Sequence, residues 1–158
     1  MLDKAIARDG TIDSLLLDKL YYEALDLSKL VVDYFQRSKK QSFQYLGVDI
    51  MALYTLECNR ITSGIMAAMA WCLMQKGVRS GEVSVAEASR KKSRLNNADL
   101  FDMPLGCDEN KLPSDFISYS KRVRALYAKI VRLDRILYEL EKDGENPVHR
   151  MIGKIEDI

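Results

Sequence analysis

The sequence predicts an all-α fold: an elongated antiparallel three-helix bundle, dimeric, with a short extra helix and a long loop before the third long helix. Three observations carry this. Apolar residues recur at alternating steps of three and four over three long stretches. Only 3 prolines and 8 glycines interrupt 158 residues, and they cluster at a few boundaries. Stretches that alternate apolar and polar residues, the mark of a half-buried strand, are few.

The first helix is expected over about residues 12–37, with Thr11 as N-cap and Asp13 in the first turn. Its seam reads Leu17, Leu20, Ala24, Leu27, Val31, Tyr34, and Leu16, Leu30 and Phe35 widen the apolar face. Residues 38–42 form a polar hinge. The second helix is expected over about residues 49–76, on the seam Met51, Tyr54, Cys58, Ile61, Ile65, Ala68, Cys72. Between Ile65 and Leu73 it is apolar all round, which implies burial on several sides. Small residues there (Gly64, Ala67, Ala68, Ala70) would let neighbouring helices approach closely. Glu57, Asn59 and Arg60 interrupt the seam, so that level is either exposed or a polar contact point.

Residues 77–81 break the second helix, and Ser84 with Glu87 reads as a capping box opening a short helix over about residues 85–94. Residues 95–113, with Pro104, Gly106 and Pro113, read as an irregular connection of a length that is often functional. The third long helix is expected over about residues 114–143, N-capped by Ser114. Its seam is the cleanest in the chain: Phe116, Tyr119, Val123, Leu126, Ile130, Leu133, Leu137, Leu140. One domain is expected over residues 1–143 and a mobile tail over 144–158.

Helices of this length are each roughly 40 Å long, near the full diameter of a compact sphere whose radius of gyration would be about 15 Å. An elongated bundle is the economical solution. Its apolar faces are wider than three slender helices can hide, and a homodimer would complete the packing.

The chain is 47% apolar with a net charge of +1, which excludes a wholly disordered chain and disfavours a strongly basic nucleic-acid binder. Three cysteines (Cys58, Cys72, Cys107) without a CxxC pair signal neither a zinc cluster nor a disulfide framework, and reduced thiols fit the cytoplasm. The apolar run from Ile65 to Met74 is too short to span a bilayer, and the first residues do not read as a signal peptide. No catalytic site, cofactor or metal is expected. His149, the single histidine, sits in the tail, and phosphate-loop, dinucleotide, zinc-protease, EF-hand and Glu-x-x-His motifs are absent. Cys58 and Cys72 read as small core residues, Cys107 as a loop thiol, and Trp71 as core.

Charge is distributed unevenly. From Asp13 to Phe35 the first helix carries Asp13, Asp18, Glu23, Asp26 and Asp33 against Lys19 and Lys29. From Lys121 to Arg135 the third carries Lys121, Arg122, Arg124, Lys129, Arg132 and Arg135 against Asp134, all these bases lying off the apolar seam. A second basic cluster, Arg90, Lys91, Lys92 and Arg94, stands beside the long loop. Both clusters admit three readings: a solvated face partly neutralised by the first helix, a docking face for an acidic partner such as a receiver-type domain, or a nucleic-acid contact. The candidate partner-binding residues are therefore Arg122, Arg124, Lys129, Arg132 and Arg135, with Arg90, Lys91, Lys92 and Arg94. A DNA-associated transcriptional regulator using the same basic face is the alternative. A small-ligand enzyme would need a buried polar cluster near Glu57 and Arg60.

Three segments resemble a known family. They are Leu20-Tyr21-Tyr22-Glu23-Ala24-Leu25 with Asp33-Tyr34-Phe35; Glu57-Cys58-Asn59-Arg60-Ile61-Thr62 through Ala70-Trp71-Cys72-Leu73-Met74-Gln75 to Gly81-Glu82-Val83-Ser84; and Leu112-Pro113 with Leu126-Tyr127 and Arg132-Leu133-Asp134. Together they resemble the RcdA family, regulators of CtrA degradation in alphaproteobacteria. The resemblance implies a dimeric three-helix bundle acting as a non-enzymatic adaptor of cell-cycle proteolysis. It implies recruitment to ClpXP through a CpdR-like response regulator. The implied substrates are CtrA- or TacA-like, tethered directly or through a PopA-like cyclic-di-GMP effector. A cytoplasmic location, at a cell pole, is implied as well. The family has a longer C-terminal tail, so its tail-dependent functions are not carried over.

Overall fold

A computed structural model describes residues 5–7, 10–39, 43–90, 95 and 98–138. Its helices are α1 (Ser14–Ser38), α2 (Gly47–Ser80), α3 (Val85–Ala88) and α4 (Ser114–Tyr138), with 3-10 turns at Gln44–Leu46 and Glu109–Lys111. No strand forms among the described residues; Ile6 and Ile12 make an isolated antiparallel bridge.

All six expected seam positions of α1 are buried. The helix starts two residues later than its pattern suggested. Asp13, not Thr11, is the N-cap, its carboxylate accepting from Leu16 N at 3.1 Å. The bridge draws Ile12 into extended backbone, and a turn at Gly10 (φ +78°) closes the small hairpin. Arg79, near the end of α2, ties this hairpin down by donating to Thr11 Oγ1 and to the Ile12 carbonyl.

The end of α2 lies one turn beyond the expected break. Gly77 stays helical, and the left-handed residue is Gly81 (φ +79°). There Gly81 N donates to Val78 O and Glu82 N to Gly77 O, a Schellman closure. Gly77 lacks a Cβ where the returning chain places Val83: an added Cβ would stand 3.0 Å from its side chain. The short helix is also shorter than expected. Ser84 caps it through Glu87 N at 3.1 Å, but helix geometry stops at Ala88, and residues 91–94 lie outside the described residues. Ser114 opens α4 as its first helical residue, with Pro113 O accepting from Ile117 N. Residues 139–143, including the last seam position Leu140, and the tail 144–158 lie outside the described residues.

The antiparallel relation holds for α1 against both long partners: Asp18 meets Lys76, Tyr34 meets Tyr54, and Glu23 meets Lys129. By contrast, α2 and α4 run parallel. Glu57 pairs with Ser120, Trp71 with Asp134 and Gln75 with Tyr138, each 63 residues apart. The parallel course follows from the connection 81–113, which returns along the bundle and lays Phe101 over Gly64 and Gly106 beside Leu53. The expected use of small residues on α2 is thus met differently at Gly64. It admits an aromatic ring from the crossover, with the Phe101 edge 2.7 Å from where a Cβ would be.

One end of the bundle is aromatic. Tyr54 and Phe116 rings stand 4.5 Å apart, and Tyr34 packs on Phe116 and Tyr119. The Tyr34 and Tyr54 hydroxyls share a buried hydrogen bond of 3.0 Å. Burial holds both phenols above their ordinary range.

Candidate partner-binding face

The mid-length interruption of α2 is a polar contact point. Glu57 is fully buried. Its Oε1 accepts from Ser120 Oγ (2.6 Å) and Arg124 Nε (2.9 Å), and its Oε2 from Arg124 Nη2 (2.8 Å) and Arg60 Nη1 (3.3 Å). Arg124 has capacity left over and uses it on the crossover, donating to Phe101 O (3.2 Å) and Met103 O (2.9 Å). Its guanidinium also lies 5.0 Å from the Phe101 ring centroid. Burial by itself pushes the Glu57 carboxyl up; the hydrogen bonds from Arg124 and Ser120 and the nearby positive charges outweigh it and hold the group below its ordinary value. The cluster that a small-ligand enzyme would need is therefore present, but it is saturated from within. Among the described residues no buried side-chain nitrogen or oxygen lacks a hydrogen-bond partner.

This places Arg124 apart from the other bases of α4. Its side chain is 21% exposed and committed to the interior. The remaining bases form the outward face: Lys121, Arg122, Lys129, Arg132 and Arg135 are exposed, separated by Ala125 and Ala128. Heptad geometry puts Arg122 and Lys129 on one edge and Arg135 on the other, with about 20 Å of helix between Arg122 and Arg135. Neutralisation by α1 is slight: Lys129 approaches Glu23 at 3.8 Å, while Asp18 is taken by Lys76 and Asp33 by Arg37. Lys121 pairs with Glu109 of the crossover at 2.7 Å. Arg122, Arg132 and Arg135 make no ion pair or hydrogen bond among the described residues. Arg90 is exposed just past α3; Lys91, Lys92 and Arg94 lie outside the described residues.

Two contacts escaped the sequence reading. Trp71 is core, as expected, but its indole N–H donates to Asp134, the acid of the basic helix, which is itself buried. Gln75 is likewise buried against the Tyr138 hydroxyl. The three-four count marks the apolar seam only; a polar residue one step beside it gives no sign of burial until the facing helix is known. Cys72 is buried, and burial pushes its thiol up to about 12; Cys58, half-buried, is raised to about 11, and burial raises Cys107 as well. Thiols so protonated are poor nucleophiles. No group of three metal-ligating side chains occurs among the described residues, and His149 lies outside them.

No described helix is long and apolar enough to cross a membrane. In comparisons with known proteins, residues 9–158 match the family DUF1465, described as a protein of unknown function. The structure is similar to the crystal structure of RcdA from Caulobacter crescentus CB15, at 23% sequence identity with a TM-score of 0.59. The match covers 84% of this chain and 98% of that one. That likeness establishes a shared fold. No curated protein matches the chain.

Proposed function

The chain belongs to the DUF1465 family, which is that of RcdA, and on this premise we propose that it is a non-enzymatic adaptor of cell-cycle proteolysis. The observation that carries the reading is the outward face of α4, where Arg122, Arg132 and Arg135 stand exposed without acidic partners among the described residues. Planar guanidinium groups on a rigid helix suit the carboxylates of an acidic protein surface. The partner on this face is the acidic side of a CpdR-like response regulator that primes ClpXP. The region from Gly77 to Leu112, with Arg90 and the neighbouring bases, takes the second partner: a CtrA- or TacA-like substrate, bound directly or through a PopA-like cyclic-di-GMP effector. The adaptor makes and breaks no bond. It raises the substrate's effective concentration at the protease by tethering. It works in the cytoplasm, at a cell pole, as a homodimer.

The test is charge reversal restricted to the outward face: Arg122→Glu, Arg132→Glu and Arg135→Glu together. Arg124 is left alone because its guanidinium is committed to the buried Glu57 and to the Phe101 and Met103 carbonyls. In a reconstituted degradation assay the triple variant should deliver substrate at least about tenfold more slowly, with unchanged helicity and melting. Full delivery by the triple variant removes this face from the account.

A further inference from the structure

The outward face of α4 is not evenly basic. Lys121 and Arg122 stand before Ala125 and Ala128, and Arg132 and Arg135 after them, all six exposed. Two methyl groups thus lie between two basic pairs. Arg122 and Arg132 are ten residues apart, about 15 Å along the axis. In that interval Lys129 is the one long exposed side chain, and it leans off the face toward Glu23 of α1 at 3.8 Å. Lys121 is drawn toward Glu109 of the crossover at 2.7 Å. The result is a saddle, floored by two alanines and walled at each end by guanidinium groups.

We infer that the acidic partner of the proposed function presents a helix to this face, and that the helix crosses α4 over Ala125 and Ala128. Size selects the element. A helix with its side chains is about 10–12 Å across, which an interval of about 15 Å admits. A floor of methyl groups lets the two axes come to the near end of the range for packed helices, about 8 Å, where a longer side chain would hold them apart. Charge selects the direction. At 100° per residue Lys121 and Arg132 lie in line with the two alanines. A helix laid along α4 would cover both and take their charges out of water, which is costly. A helix laid across leaves them at its flanks. Carboxylates on its two sides then reach Arg122 at one wall and Arg132 and Arg135 at the other. These three guanidinium groups make no ion pair among the described residues, so nothing there competes for them. This rests on the proposed function and names the element that its basic face receives.

The experiment is the reconstituted degradation assay with response regulator, ClpXP and substrate, run at limiting adaptor on the full chain and three further variants. Ala125→Leu with Ala128→Leu fills the saddle and leaves every charge in place. Delivery should slow on the order of tenfold, with circular dichroism as in wild type. Ala125→Ser with Ala128→Ser keeps the floor low and should deliver as wild type does. Ser118→Leu, exposed on the same face but outside the saddle, should also leave delivery unchanged. Full delivery by the leucine pair, where the Arg122→Glu, Arg132→Glu and Arg135→Glu variant fails, overturns the crossing helix while the basic face stands. Full delivery by both overturns the crossing helix and the basic face together. Slowing by Ser118→Leu as large as that of the leucine pair overturns the seat between the alanines. Equal slowing by the serine pair overturns the part played by side-chain size.

Discussion

Glu57 of α2 holds Arg124 of α4 in a two-pronged pair, Nε to Oε1 at 2.9 Å and Nη2 to Oε2 at 2.8 Å, with the carboxylate fully buried. Such a pair is a weak source of net stability, because both ions leave water to form it. Its consequence here is positional. The fork fixes the guanidinium so that its Nη1 reaches Phe101 O and Met103 O, and the crossover is thereby clamped onto two parallel helices.

Removing one member leaves the other buried without its counter-charge. Glu57→Gln is expected to cost about 3–5 kcal/mol, read from the midpoint of urea unfolding. Backbone amide exchange in residues 98–106 should quicken in the same variant, since the clamp fails with the pair. An unchanged midpoint with unchanged exchange would show that the crossover is held by packing alone.

The same carboxyl sets an acid dependence. Its folded value lies below the ordinary 4.5, so folding favours the charged form. The associated stability is complete above about 4.5 and is lost as pH falls through the lower folded value. Unfolding midpoints of wild type and Glu57→Gln should therefore differ most near neutrality and converge as the pH falls below the ordinary 4.5. Parallel profiles across that window would assign the acid lability to other groups.

Gly64 and Phe101 form a second, apolar fastening. A Cβ at residue 64 would stand 2.7 Å from the Phe101 ring and 3.4 Å from Val123. Gly64→Ala should cost about 1–3 kcal/mol by overpacking, despite the better helix propensity of alanine. Adding Phe101→Ala should recover part of that loss, giving a coupling of about 1 kcal/mol in a double-mutant cycle by thermal melting. Strict additivity would mean that the ring is not what the glycine accommodates.

The three long helices were legible because their seams are long, and Leu17 to Tyr34 and Phe116 to Leu133 follow one rhythm without interruption. Their relative direction was not fully legible. Periodicity says which face is buried, but the parallel pairing of Trp71 with Asp134 depends on the path of residues 81–113, where turn residues leave no period to read. The same holds for the site. Charge counting found the basic face of α4, yet it could not tell that Arg124, one helical turn from Lys121, turns inward to Glu57. That distinction needs the facing helix. Glu57 and Arg60 did signal a polar level in an apolar run, and the signal was sound about place while leaving its partners open.

The central claim is that this chain is an adaptor whose α4 arginines receive an acidic partner. It is tested most directly by capture from a lysate of its own cells at moderate salt, read by mass spectrometry, with the Arg122→Glu, Arg132→Glu and Arg135→Glu triple variant alongside. ClpX and a receiver-domain protein should be recovered on wild type and lost on the variant. Capture of DNA-linked proteins that vanish with nuclease, or equal capture of the protease by both proteins, would contradict it.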